Sequence, residues 1–281
     1  NDTIDGGAGS DTIYGGGGDD TIYATLDGVS DSFYGDNSTY DASSGTDTLS
    51  YVNQTGSTPL SSVIFTGSGT GAVVDGGSSD SFSQIENFVG STYDDSLDLS
   101  GGVMSTIDGG SGADTFNLNN GAVTSIAGGE GDDTFNLNSN ALSIDQISGD
   151  AGDDTFNITD LNILGSTILD GGSESSGDTV AFVNATASGP LALGNNMLNF
   201  ETYDITGASG VHNNLTIDQL GVAENGASTV TIIGDAGDAV LFAANDSWVA
   251  GANDGTYTSY TSTYSAGTTI KVDNDITVGT F

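Results

Sequence analysis

Cysteine is absent from the 281 residues, so neither a disulfide nor a thiolate metal site holds the chain together. Basic residues are almost absent too: Lys271 stands alone against 39 Asp and Glu, for a formal net charge of −38. Nucleic acid is excluded as a partner, because nothing could neutralise its phosphates, and anionic membrane surfaces are excluded for the same reason. Only 2 residues are Pro against 44 Gly, which rules out collagen and proline-rich linkers. No apolar run is long enough to span a bilayer, so membrane insertion is not expected, and no basic leader opens the chain. Apolar residues make up 35%, low for a globular core but too high for wholesale disorder. The first residues, Asn1 to Ile4, read as the tail of a repeat, so the chain is expected to be a fragment or a processed product.

What the chain has is a repeat. Gly6-Gly-Ala-Gly-Ser-Asp11-Thr-Ile-Tyr14 is followed at once by Gly15-Gly-Gly-Gly-Asp-Asp20-Thr-Ile-Tyr23. Both fit G-G-x-G-x-D-x-U-x, with U a large apolar residue. The pattern returns at Gly109 to Asp114, Gly128 to Asp133 and Gly149 to Asp154, each followed by Thr-Phe, and in stretched form at Gly171 to Asp178. These copies resemble the RTX (repeats-in-toxin) nonapeptide family, whose repeat binds calcium in a β-helix. The residue types suit that chemistry. Glycine lets the backbone turn through positive φ and pass close to an ion. Carbonyl and carboxylate oxygens are hard donors, which favour Ca²⁺ over zinc or copper.

Spacing sets the coil. Asp95, Asp114, Asp133 and Asp154 are 19, 19 and 21 residues apart, and Asp178 follows after 24. One coil of about twenty residues is thus a calcium turn, a strand, a second turn and a return strand. The fold expected is all-β: a right-handed parallel β-roll or β-solenoid with a strand-rich C-terminal cap. Residues 1–44 carry the motif on both edges, with Asp2 and Asp20 on one side and Asp11 and Asp31 on the other. Residues 45–98 resemble a related RTX arrangement with a variable, hairpin-like insertion; Asp47 and Asp95 are counted as ligands there and Asp80 is not. Residues 99–180 form a one-edged calcium solenoid, 181–243 degenerate coils and 244–281 the cap. Phe116, Leu118 and Ile126, then Phe135, Leu137 and Ile147, then Phe156, Ile158 and Ile168 are expected to stack inward. Thr115 and Asn117, with their equivalents, face out as solvent-exposed ladders. Ice binding is the sharper reading of such ladders, but RTX antifreeze proteins carry Thr and Asn inside the calcium turn, where this chain has residues such as Ser111 and Ala113. After Asp178 the motif fades, and in Gly234-Asp-Ala-Gly-Asp238-Ala239 the alanine stands where the ligand should be, so no calcium is expected there.

Strands stack about 4.8 Å apart, so aligned carboxylates are near neighbours. Each like-charge pair then costs roughly 1–3 kcal/mol, and four gaps along the Asp95 to Asp178 row about 4–13 kcal/mol. That rivals the whole stability of a domain at about 5–15 kcal/mol. A merely solvated acidic surface does not survive this arithmetic; the row needs cations. Several Ca²⁺ ions are therefore expected between successive turns. Their ligands would be the carboxylates of Asp2, Asp11, Asp20, Asp31, Asp47, Asp95, Asp114, Asp133, Asp154 and Asp178. Main-chain oxygens of Gly109, Ser111, Gly128, Glu130, Gly149 and Ala151 would complete the sites.

Catalysis is not expected. The paired carboxylates at Asp19-Asp20, Asp94-Asp95, Asp132-Asp133 and Asp153-Asp154 repeat in register with the turn, whereas a glycosidase needs one such pair. A nucleophilic triad would have to use His212, which no serine elbow or adjacent acid singles out. Trp248, Tyr257, Tyr260 and Tyr264 cluster near the end; a carbohydrate-binding face is the sharper reading of them, a packed cap the plainer one. The resemblance implies type I secretion and an extracellular or cell-surface segment of an adhesin, surface-layer or filament protein. Copies joining end to end are a variant of that reading. The alternative is the secretion and folding domain of an exported enzyme or toxin.

Overall fold

The triplet Thr-Phe-Asn is a strand in miniature: polar side chains flank one large apolar residue, so with side chains alternating across the backbone only the middle one turns inward. In the computed structural model Phe116 and Phe135 are both fully buried, while the flanking Thr115, Asn117, Thr134 and Asn136 lie nearer the surface. The structure describes residues 1–36, 45–53, 58–75, 78–138, 142–160, 163, 167–172, 177–183, 191–192, 196–207, 213–217, 228–244, 248–262 and 268–280. His212 and Tyr264 lie outside them. Among the described residues there is no α-helix, and hence none long and apolar enough to cross a membrane. The chain is all-β and divides into two units, Asn1–Ser148 and Gly149–Phe281.

The strands of the first unit are β1 (Thr3–Asp5), β2 (Thr12–Gly16), β3 (Thr21–Tyr23), β4 (Ser32–Asp36), β5 (Thr48–Ser50), β6 (Ser62–Gly67), β7 (Thr70–Asp75), β8 (Ser78–Ser83), β9 (Asn87–Val89), β10 (Ser96–Ser111), β11 (Thr115–Glu130), β12 (Thr134–Leu137) and β13 (Leu142–Ala151), the last running past the unit boundary. They alternate between two faces. On one face β1, β3, β5, β9 and the second halves of β10 and β11 pair in parallel, stacking Ile22, Leu49, Phe88, Ile107 and Ile126. On the other, β2 pairs with β4 and β4 with β8, while β6 pairs with the first half of β10, and β10 with β11 and β12 follow. The core lies between: Phe88 of the first face meets Phe65 and Phe82 of the second at ring separations of 5.3 and 6.0 Å. Phe116 and Phe135 stack 4.7 Å apart at 14°, the separation of adjacent rungs.

The insertion expected in residues 45–98 is the meander β6–β7–β8, with both of its turns antiparallel. It enters the second face beside β10 and leaves it beside β4. That face therefore holds three rungs where the first holds only β9 between β5 and β10.

The second unit contains β14 (Thr155–Ile158), β15 (Ile168–Asp170), β16 (Thr179–Phe182), β17 (Leu191–Ala192), β18 (Met197–Leu198), β19 (Thr202–Asp204), β20 (Asn214–Ile217), β21 (Thr229–Ile233), β22 (Ala239–Phe242), β23 (Trp248–Asn253), β24 (Tyr257–Ser262), β25 (Thr269–Asp273) and β26 (Thr277–Thr280). Here β14, β16, β19, β21 and β25 pair in parallel, as do β17, β20, β22 and β26. Regular parallel rungs thus continue where the motif has faded. The final segment adds a further parallel rung in β25 and β26, and among the described residues of this unit antiparallel pairing is confined to β23–β24–β25. Trp248 and Tyr260 turn their rings onto Phe242, each 5.1 Å away.

One expected core residue is corrected. Ile168 is 38% exposed and Leu169 is the buried one. Leu169 follows Phe156 by 13 residues where Ile147 follows Phe135 by 12, and a one-residue slip sends every side chain of a strand to the opposite face.

Candidate metal sites

Each motif aspartate sits at the entry to a strand, and the parallel register places it beside its counterpart in the next coil. Main-chain hydrogen bonds turn this into rows. In the first row the N–H of Asp2 donates to Asp20 Oδ1 (2.5 Å), that of Asp20 to Asp47 Oδ1 (2.8 Å) and that of Asp47 to Glu86 Oε2 (2.9 Å). In the second the N–H of Asp11 donates to Asp31 Oδ1 (2.8 Å) and that of Asp31 to Asp80 Oδ1 (3.0 Å). Beyond the meander a third row runs from the N–H of Leu60 to Asp95 Oδ1, from Asp95 to Asp114 and from Asp114 to Asp133, at 2.7, 2.6 and 2.7 Å. In the second unit the N–H of Asp154 donates to Asp178 Oδ1 (2.8 Å) and that of Asp178 to Glu201 Oε2 (3.2 Å).

One carboxylate oxygen is thus held by the coil before. The other is the chemically telling atom. Oδ2 of Asp11, Asp20, Asp47 and Asp114 is buried with no hydrogen-bond donor. What it faces is shown by the first glycine of the turn. A Cβ on Gly109 would strike Asp114 Oδ2 and come within 2.5 Å of the Gly128 carbonyl oxygen, so both oxygens converge on the space that this glycine leaves open. At Gly15 the same space is bounded by Asp20 Oδ2 (2.8 Å) and the Gly35 carbonyl (2.5 Å), and at Gly149 by Asp154 Oδ2 and the Gly171 carbonyl. Gly110 and Gly112 hold φ at 104° and 118°, a left-handed path that bends the turn around this space.

Two acceptors pointing at one another, with no proton between them, repel unless a cation separates them. The electrostatics agree. Burial pushes the Asp114 carboxyl up to about 8, and the charges of Asp95, Asp133 and Asp94 push the same way against the N–H of Asp95. Burial likewise raises Asp47 to about 6, with Asp36, Glu86 and Asp20 adding to it, and raises Asp31 and Asp95. Among the described residues no three His, Cys, Asp or Glu side chains close on one point. The donor set is therefore mixed, carboxylate with main-chain carbonyl, which fits a hard cation of the Ca²⁺ kind.

Rows end in a different way. Asp80 is 2% exposed, and its Oδ2 accepts the hydroxyl proton of buried Tyr51 at 3.0 Å. Asp95 Oδ2 accepts the N–H of Ser91 (2.7 Å) and its Oδ1 the Ser91 hydroxyl (2.8 Å). Asp80 lies within β8 of the meander and Asp95 directly before β10, and both are closed by a donor of the protein's own.

The remaining expected residues are placed as follows. Asp2 is exposed at the head of its row. Gly109, Gly128 and Gly149 line the converging spaces. The Glu130 carbonyl already accepts the N–H of Gly112 at 2.7 Å, and the Ser111 hydroxyl reaches the Glu130 carboxylate at 3.4 Å. Ala151 is the last residue of β13. The paired acids separate: Asp20 and Asp95 are buried in their rows, while exposed Asp19 and Asp94 accept the N–H of Thr46 (2.9 Å) and Ala113 (2.8 Å) one coil on.

Four row members were missed or misplaced by sequence reasoning. Asp80, left out, is in register with Asp31. Glu86 and Glu201 occupy row positions on turns without the motif; the signal is their shared context, Gln84-Ile85-Glu86 and Asn199-Phe200-Glu201. Asp238, not Ala239, takes the row position. Its Oδ1 accepts the N–H of Asn213 (2.7 Å), its Oδ2 that of Asp235 (2.7 Å), and it is 1% exposed. The turn from Gly234 is one residue shorter than that from Gly149, which displaced the alignment.

Comparison with known families gives one match, to the RTX calcium-binding nonapeptide repeat, in four copies over residues 1–27, 105–124 and 143–157. Those segments hold Asp2, Asp11, Asp20, Asp114 and Asp154; the other row acids lie outside them. No curated protein matches the chain.

Proposed function

We propose, from the premise that this chain carries RTX calcium-binding nonapeptide repeats, that it is a non-catalytic structural segment of a secreted or cell-surface protein of adhesin, surface-layer or matrix type, folded by calcium held between successive turns. In this reading the carboxylates of Asp2, Asp11, Asp20, Asp31, Asp47, Asp114, Asp133, Asp154 and Asp178 each help bridge neighbouring coils, while Asp95 is already closed by Ser91. Main-chain oxygens around Gly109, Ser111, Gly128, Glu130, Gly149 and Ala151 complete the sites. The observation that supports it most is the buried, donorless Oδ2 of Asp114 facing the next coil's glycine carbonyl.

Extracellular calcium modules bind at roughly 10⁻⁴ to 10⁻³ M. A segment of that affinity is loose where calcium is scarce and ordered outside the cell, which is what a chain exported unfolded and hardened on arrival requires. Far-ultraviolet circular dichroism in calcium and in chelator tests the reading: the β signal is expected to strengthen on adding calcium at about 1 mM. A spectrum identical in chelator would sink it.

A further inference from the structure

Two turns with none of the glycine motif carry the same convergence of oxygens. At Gln84-Ile85-Glu86 and Asn199-Phe200-Glu201 three residues do what six do from Gly109 to Asp114. The first residue of each triplet is left-handed, Gln84 at φ 58° and Asn199 at φ 60°; the described residues hold only one other non-glycine at positive φ, Asp150. A left-handed non-glycine is uncommon, more so for glutamine than for asparagine, which asks for a reason in the surroundings. The middle residue, Ile85 or Phe200, is fully buried in the core and anchors the turn. The third sends a carboxylate back to the preceding row: Glu86 accepts the N–H of Asp47 and Glu201 that of Asp178. Glutamate is one methylene longer than aspartate, which lets the shorter turn reach the same point.

The left-handed residue aims its carbonyl. A Cβ on Gly35 would strike both the Gln84 carbonyl oxygen and Asp47 Oδ2, and one on Gly171 would lie 2.6 Å from both the Asn199 carbonyl oxygen and Asp178 Oδ2. Asp47 is completely buried, and its Oδ2 has no donor. The side chain of Asn199 is tied to Asp170 Oδ1 at 2.7 Å, which fixes the orientation of the turn. The junction at Asp47 contrasts with Asp80 and Asp95, where Tyr51 and Ser91 supply the missing proton.

We propose that Asp47, Gln84 and Glu86, and equally Asp178, Asn199 and Glu201, each hold one hard divalent cation where a motif turn meets a compressed one. The inference rests on the calcium reading given above. It extends the rows beyond the glycine motif: the sequence that marks such a site is a left-handed polar residue, a buried apolar residue and a glutamate.

Calcium bound to the full chain, counted by equilibrium dialysis and atomic emission, tests it. Glu86→Gln and Glu201→Gln keep an oxygen to accept the N–H, so the coil is retained; each is expected to lower the count by one ion. Asp114→Asn serves as the reference for a motif site. If Asp114→Asn loses an ion and neither glutamine variant does, this proposal falls and the calcium reading stands; if the unsubstituted chain binds none, both fall. Anomalous scattering from terbium in crystals of the unsubstituted chain reads the same point without a substitution. A peak between Asp47 and Glu86 supports the site, and peaks confined to motif turns overturn it.

Discussion

The turns that lead into β3, β5 and β11 and the stretch from β20 to β26 build the same parallel rungs by different means. In the first, a buried aspartate at each coil leaves one oxygen without a donor. In the second, the strands Asn214–Ile217, Ala239–Phe242 and Thr277–Thr280 stack in register, and the one buried acid among them, Asp238, has both oxygens occupied by N–H groups. Apolar alternation is therefore enough to make a rung. What the glycine turn adds is a buried oxygen without a donor, which under the proposed reading a cation would satisfy.

That difference is largest without metal, and pH exposes it. Unfolded aspartate titrates near 3.8, while folded Asp114 holds its proton to about 8 and Asp47 to about 6, burial being the main cause in both. The folded state thus binds more protons between those limits, so the metal-free chain is most stable below about pH 4 and loses stability as pH rises towards 8. The growing net charge works in the same direction. Urea midpoints of the calcium-free chain are expected to fall steadily from pH 4.5 to 8, with amide protection lost first around Asp47 and Asp114 and retained longest in β21 and β22. A midpoint that climbs with pH in the absence of metal would mean that the open oxygens are not what governs these turns.

The second test concerns the rungs themselves. Leu169→Ala removes a fully buried side chain and is expected to cost about 2–5 kcal/mol, by thermal or urea unfolding in calcium. Ile168→Ala, next to it and 38% exposed, is expected to change stability by under about 0.5 kcal/mol. Sequence spacing alone assigns these roles the other way round, so the pair discriminates cleanly between the two registers.

The failures of sequence reading share this cause. The Thr-Phe-Asn rungs and the acids at Asp95, Asp114 and Asp133 were legible because each lies one fixed interval from the next, so periodicity stood in for geometry. Asp80 is 49 residues from Asp31, across a meander that enters the face from its far side, and no local pattern announces that register. Asp238 and Leu169 were each displaced by a spacing altered by one residue. Glu86 and Glu201 were hidden by chemistry: a longer carboxylate on a shorter turn ends at the same place, and a motif written in glycines and aspartates does not contain it.

Tyr51 allows the smallest and most specific test. Its hydroxyl donates to Asp80 Oδ2, and both residues are buried. Tyr51→Phe keeps the ring, which lies 6.0 Å from Phe88, and removes only the proton donor. The buried carboxylate oxygen left behind is expected to cost about 1–3 kcal/mol. Because Tyr51 stands where the proposed reading puts a cation in other rows, the loss should be the same in chelator as in high calcium for a variant that gains no ion. If calcium instead rescues the variant, with one more ion bound than in the unsubstituted chain, then a hydroxyl and a divalent ion are interchangeable at a rung, and the distinction between open and closed acids becomes a choice the sequence can reverse with a single oxygen atom.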